Sequence, residues 1–253
     1  MNRISDYLKV TCDITLFLCK YCNDNNIDAL VVGVSGGIDS AVASTLAAKT
    51  GLPVYAMGMP LNQSPEQETL SDAHLFWLQK NYPNVTVLKT DLTKPFNKFI
   101  KQLTADLGVE YTINEMARAN SKSRMRMLTL YQVAASVNGI VVGTGNKVED
   151  YGVGFYTKYG DGGVDIAPIA DLYKTEVREL GRFVGVISEI LEAKPTDGLW
   201  EDGRTDEDQI GASYEDLEYA MEHGTGPAVR ILHDFNCKNK HKMNPIPTFK
   251  LEV

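Results

Sequence analysis

Four short apolar runs, at residues 29–34, 54–59, 85–88 and 139–143, alternate with longer stretches of helical periodicity. That alternation constrains the fold more than any other feature of the chain. Runs that are apolar throughout suit strands covered on both faces, and parallel strands need long crossovers that do the covering. Helices are expected at 5–21, 39–49, 66–81, 93–107, 112–137 and 171–184, with weaker patterns at 213–222 and 227–235. Right-handed crossovers then give an α/β fold, a doubly wound, mostly parallel sheet with helices on both faces. In such a sheet ligands lie beyond the carboxyl ends of the strands, where the strand order reverses. Three strand-end or turn-rich stretches, 61–68, 151–165 and 195–209, read as ligand-ordered loops.

The 253 residues, 43% of them apolar, suit one large core, so a single domain over 1–253 is expected. No apolar stretch is long enough to span a membrane, and the first residues lack the pattern of a signal peptide, which places the chain in the cytoplasm with no membrane partner. Its four cysteines, Cys12, Cys19, Cys22 and Cys237, are too few for a disulfide framework; the first three share helix-face spacing and read as thiols packed in a core. A net charge of −8 argues against nucleic acid as a partner. Cations are nevertheless concentrated at 120–126 and 238–242, where they would suit the phosphates of a small anionic ligand.

The segment Val31-Val-Gly-Val-Ser-Gly-Gly-Ile-Asp-Ser40 carries the chemistry. An apolar strand runs into a serine-glycine turn and then into a helix beginning near Asp39. Gly36 and Gly37 let backbone approach an anion, Ser35 and Ser40 offer hydroxyls, and the helix N-terminus supplies free N–H groups. The turn lacks the lysine of a Walker A loop and the spacing of a dinucleotide-binding G-x-G-x-x-G. Asp39 would repel phosphate unless a cation lay between them. Magnesium, held by one or two carboxylates and by phosphate oxygens, removes the conflict.

SGGxDS after an apolar strand resembles the PP-loop of the N-type ATP pyrophosphatases, which split ATP to AMP and pyrophosphate on a Rossmann-like, adenine nucleotide alpha hydrolase type of fold. Within that group the stretch 154–169, containing Thr157-Lys-Tyr-Gly-Asp-Gly-Gly163, is similar to NAD synthetases, and the resemblance extends from the N-terminal helix to residues 239–247. It implies that Gly33, Val34, Ser35, Gly36, Gly37, Ile38, Asp39 and Ser40 hold ATP, joined by Thr144, Lys174 and Thr196. Asp39 and Glu149 would bind magnesium, with Asp39 and Lys174 acting in catalysis. Arg124, Lys158, Asp165, His241 and Lys242 would hold deamido-NAD. A homodimer is implied as well. One departure stands out: many members have Asp-His after the Gly-Thr of the second loop, where this chain has Gly145-Asn146.

The reaction so implied is the last step of NAD biosynthesis, adenylation of the nicotinate carboxylate of deamido-NAD followed by displacement of AMP by ammonia. Glutamine is not expected as donor, because no cysteine has the setting of an activated thiolate and the length leaves no space for a glutaminase domain. Two alternatives stay open: another PP-loop amidating ligase, and a non-catalytic adenine-nucleotide sensor. His74, His223 and His233 have no role in any of these readings. The acidic stretch 202–208 reads as a solvated lid.

Overall fold

The computed structural model describes residues 3–108, 114–193 and 205–251. Among them four parallel strands, β1 (Ala29–Gly33), β2 (Val54–Gly58), β3 (Val85–Lys89) and β4 (Gly139–Val142), form a sheet of order β3-β2-β1-β4. Leu30 lies opposite Val54 on one side and Ile140 on the other, so β1 is central. The chain builds outward from β1 to β3 and then returns to β1's other edge for β4. The reversal falls between β1 and β4, as the doubly wound reading requires.

Side chains alternate across this sheet. Leu30, Val32, Ala56 and Ile140 pack under α1 (Tyr7–Asp24), α2 (Ile38–Lys49) and α3 (Pro65–Asn81), together with Leu18, Ala47 and Leu78 of those helices. Val31, Met57 and Val141 face the other way, toward Phe96 of α4 (Thr93–Leu107) and Leu130 of α5 (Glu115–Ser136). Burying both faces is what permits runs with no polar alternation.

Helix boundaries follow the caps more closely than the apolar pattern. Asp6 accepts from Lys9 N, so α1 starts at Tyr7 and continues to Asp24, beyond the expected 21. Asn114 caps α5 in the same way. The helix expected from 171 begins at Lys174, because the Glu176 carboxylate accepts from Tyr173 N at 2.9 Å and fixes that end as the start of α6 (Lys174–Val184). After α7 (Ser188–Glu192) and α8 (Asp206–Ile210) come α9 (Tyr214–His223) and α10 (Val229–Met243), the last running well past the expected 235. A π-helical segment, Lys147–Val153, occupies what the sequence presents as a loop.

α2 is buried along nearly its whole length between the sheet and α6. Its Ala and Ser positions keep that contact close, and a Cβ on Gly181 of α6 would stand 2.8 Å from Ile38 Cδ1. This packing sets the start of α6 beside the start of α2, above the reversal point of the sheet. Cys22 is buried in the core beside α2, whereas Cys12 is exposed, which corrects the expectation that the three N-terminal cysteines pack together. No described helix is long and apolar enough to cross a membrane.

Candidate active site

The turn after β1 is held by its own hydroxyls. Ser35 N donates to Ser40 Oγ at 3.1 Å, Ser40 Oγ donates to Gly37 O at 2.9 Å, and Gly37 N donates to Ser35 Oγ at 3.2 Å. Gly36 has φ +91°, and a Cβ there would press on Gln67 O at 2.8 Å and Ser71 N at 2.9 Å. Only glycine fits on both counts. Ser71 Oγ in turn donates to Val34 O at 2.7 Å, so α3 braces the turn from behind. Gly33 ends the strand, Val34 leads into the turn, Ile38 anchors α2 in the core, and Ser35 remains exposed at the mouth. The result is a preformed turn at a helix N-terminus, with the N–H groups of Ser35 and Gly37 engaged by its own serine hydroxyls.

Asp39 and Glu149 come from different strand-end segments and meet on one cation. Lys174 Nζ donates to Asp39 Oδ2 at 2.6 Å and to Glu149 Oε1 at 2.8 Å, and the lysine side chain is only 3% exposed. Burial alone would lower the Lys174 pKa, but the two carboxylates carry it above the ordinary lysine range, so the ammonium stays charged. Burial pushes Asp39 upward despite Lys174. It presses on Glu149 too, but there the charge and hydrogen bond of Lys174, with the Tyr214 hydroxyl, outweigh it and hold the carboxyl low. Two carboxylates that share one ammonium offer hard oxygen donors to a divalent cation once that ammonium moves away. By that donor chemistry the residues fit the expected magnesium.

Two side chains to which the sequence assigns no role organise this cluster. Asn146 is fully buried; its Oδ1 accepts from Val148 N at 3.0 Å and Glu149 N at 3.1 Å, and its Nδ2 donates to Asp39 Oδ1 at 3.2 Å. It therefore caps the π-helical segment and ties the Asp39 carboxylate to the backbone at Glu149. Gly145 beside it leaves space that the Asp150 carboxylate fills, since any Cβ at 145 would collide with it. Burial first, then the charges of Glu149, Asp161 and Asp39, push Asp150 up to about 8. Tyr214 reaches Glu149 Oε1 at 2.6 Å. Asp206 is buried and lies within 3.4 Å of that hydroxyl, which corrects the reading of the whole acidic stretch as solvated.

The residues expected to hold the second substrate gather around 154–158. Arg124 Nε donates to Lys158 O at 3.1 Å, and Lys158 Nζ reaches His241 O at 3.5 Å. Lys242 Nζ donates to Gly154 O at 2.5 Å and Tyr156 O at 2.8 Å. α10 fastens this loop further through Asn236 and Asn239, which donate to Gly152 O and Val153 O. Asp165 ties the far end down, accepting from Val141 N at 2.8 Å and from Tyr131 OH at 2.9 Å. Asp161 accepts from Ser123 Oγ at 2.6 Å and Thr157 N at 3.0 Å. Thr144 sits half-buried just beyond β4. Thr196 lies outside the described residues.

The chain is similar to known proteins along most of its length. Residues 10–242 match the family model described as NAD synthase. The NH(3)-dependent NAD(+) synthetase of Carboxydothermus hydrogenoformans is 39% identical over 230 residues, covering 89% of this chain and 90% of that one. A solved structure of NMN synthetase from Francisella tularensis superimposes with a TM-score of 0.86 at 30% identity, covering 98% of this chain and all of that one. The NH3-dependent NAD synthetase from Campylobacter jejuni, in complex with nitrate, gives a TM-score of 0.75 at 25% identity, covering 97% of this chain and all of that one.

Proposed function

The chain belongs to the NAD synthase family, and from that premise we propose that it amidates the nicotinate carboxylate of deamido-NAD with ammonia, driven by cleavage of ATP to AMP and pyrophosphate. The observation that carries the reading is the convergence of Asp39 and Glu149 on one cation at the mouth of the glycine turn. A nucleotide sensor has no need of two carboxylates from separate loops. Ammonia as the donor is supported by the name of a relative of which this chain covers 90%.

In this reading the turn of residues 33–40 at the start of α2 holds the ATP phosphates, and Thr144 and Thr196 contact the nucleotide. Asp39 and Glu149 would hold magnesium, which supplies positive charge to the phosphate oxygens. Lys174 leaves the carboxylates and turns to the α-phosphate, where negative charge grows as the nicotinate oxygen attacks phosphorus and pyrophosphate departs. Arg124, Lys158, Asp165, His241 and Lys242 orient the acceptor. Ammonia then attacks the carbonyl carbon to form the C–N bond, the C–O bond to AMP breaks with its electron pair leaving on the AMP phosphate, and the proton lost by nitrogen goes to water. Neutral NH3 is the nucleophile because ammonium has no lone pair. A homodimer belongs to the same proposal and is checked by the mass in solution.

A second reading has one observation behind it, the TM-score of 0.86 to the NMN synthetase of Francisella tularensis. The carboxylate amidated would then belong to nicotinate mononucleotide, with the same adenylation and no adenosine half to bind. The test is a panel of deamido-NAD, nicotinate mononucleotide, XMP and aspartate with ATP, magnesium and ammonium, scored by AMP release. Deamido-NAD should give the highest kcat/KM. Preference for the mononucleotide would replace the substrate and leave the chemistry; no AMP with either would remove the reading.

A further inference from the structure

Tyr214 has no part in the reaction set out above, yet no other buried aromatic among the described residues touches the ionic cluster. It is 1% exposed, at the first position of α9, and packs with Val148, Val153, Ile210 and Leu217 in an otherwise apolar cluster. Its backbone is fixed by Tyr214 N donating to Glu207 Oε1 at 2.9 Å. From that anchored ring the hydroxyl donates to Glu149 Oε1 at 2.6 Å, the same oxygen that accepts from Lys174 Nζ at 2.8 Å. The ring also lies beside the Lys174 ammonium, with its centroid 4.9 Å from Nζ.

We propose that Tyr214 is a positioning residue for the adenylation step, its hydroxyl holding the Glu149 carboxylate toward Asp39 while its ring gives Lys174 a resting face beside both. The proposal rests on the reading of Asp39 and Glu149 as the metal-binding pair. Glu149 has a long side chain on a π-helical turn, and Lys174 holds it only while the site is empty of nucleotide. Once Lys174 turns to phosphate, the tyrosine hydroxyl remains on Oε1 and keeps the carboxylate from rotating away. Ligating carboxylates are commonly held by such outer hydrogen bonds, and losing one weakens metal binding about 10–100-fold. A bland packing role would be served equally by phenylalanine, and that difference defines the test.

Tyr214→Phe removes one oxygen and keeps the ring, its burial and its contact with Lys174. Two quantities are read: binding of Mn2+ in the presence of ATP, with acceptor and ammonium omitted, followed by the electron paramagnetic resonance of free Mn2+; and the magnesium concentration that half-activates turnover. Expected are a loss of about tenfold in Mn2+ affinity and an equal rise in the activating magnesium, with kcat at saturating magnesium within about threefold of the parent. Melting without metal should move by no more than about 4 °C. Glu149→Gln is measured beside it. Weak Mn2+ binding by Glu149→Gln with parental binding by Tyr214→Phe overturns the role of Tyr214 alone. Parental binding by both variants overturns the metal pair and this proposal with it.

Discussion

The two halves of the crevice are built on opposite plans. On the phosphate side the turn 33–40 is closed by three hydrogen bonds of its own serines, backed by α3, and faced by carboxylates already gathered on a lysine. On the acceptor side the cations at 124, 158 and 242 bond to backbone carbonyls of the chain itself, and Arg124 is exposed. One half presents its turn and its paired carboxylates before the ligand arrives, and only Lys174 has to move. The other uses its cations to hold a loop, and an incoming phosphate must compete with those carbonyls. The phosphate half thus contributes preorganised electrostatics, which favours rate, while the acceptor half gives up part of its binding energy in rearrangement.

The largest effect should come from the preorganised half. Asp39→Asn and Glu149→Gln change little volume but each remove a charge from the group that meets the metal. A fall in AMP formation of at least about 10²–10³-fold is expected, with the fold intact by circular dichroism. Retention of parental AMP formation at limiting magnesium by either variant would break the comparison at its root.

How much of this was legible in the sequence follows the same division. The strands and the Ser35–Ser40 turn could be read directly, because the constraint is local: apolar runs for burial on two faces, glycines for close approach, a carboxylate at a helix start. Asn146 and Tyr214 could not. Tyr214 lies 65 positions beyond the glutamate it holds, and nothing in its neighbourhood marks it as more than a core aromatic. Asp206 looked like one acid among several until packing buried it. α10 was read short because its last two turns are polar and earn their place through Asn236, Asn239 and Lys242, whose partners are carbonyls of the π-helical segment and the loop after it. The π-helix itself was hidden because its cap, Asn146, stands where a loop residue was equally plausible.

Acid should loosen the phosphate half selectively. His74 is fully buried behind the turn, bonded through Nε2 to Ser44 of α2 at 3.0 Å, and burial lowers its pKa from 6.5 to about 4. The unfolded chain therefore binds more protons than the folded one between those values, so stability from neutral His74 is complete above pH 6.5 and is lost as pH falls toward 4. The full window corresponds to about 3 kcal/mol. Asp150, raised to about 8, acts in the opposite sense, gaining stability as pH falls through that value. The measurement is accordingly the difference in urea stability between parent and His74→Gln across pH 4–7, in which Asp150 cancels. A difference independent of pH would show that His74 titrates normally.

On the acceptor side Arg124→Ala and Lys158→Ala should weaken the acceptor by about 1.5–3 kcal/mol each, as expected for a lost charge-assisted hydrogen bond. ATP should be nearly unaffected, read as KM for each substrate with the other saturating. Equal losses for both substrates would mean that the two halves are not separate pockets.

Lys242 gives the smallest and sharpest test, because its resting contacts are explicit. Its ammonium bonds two carbonyls, Gly154 O and Tyr156 O, beside the Tyr156 ring, and burial lowers its pKa, a shift that Asp161 opposes. If its first task is to hold the loop, Lys242→Met should cost about 1–2 kcal/mol of stability, the worth of hydrogen bonds to a charged group that water replaces in part. The methionine keeps much of the apolar stem, so packing loss stays small. The acceptor KM should then rise less than in Arg124→Ala, because the parent must release those carbonyls before the ammonium reaches a phosphate, and the variant is spared that cost. Thermal melting of the free protein and acceptor KM of the same preparation decide the matter. Parental stability with an acceptor KM raised as far as in Arg124→Ala would place Lys242 on the ligand rather than on the loop, and would make the acceptor half as preorganised as the phosphate half.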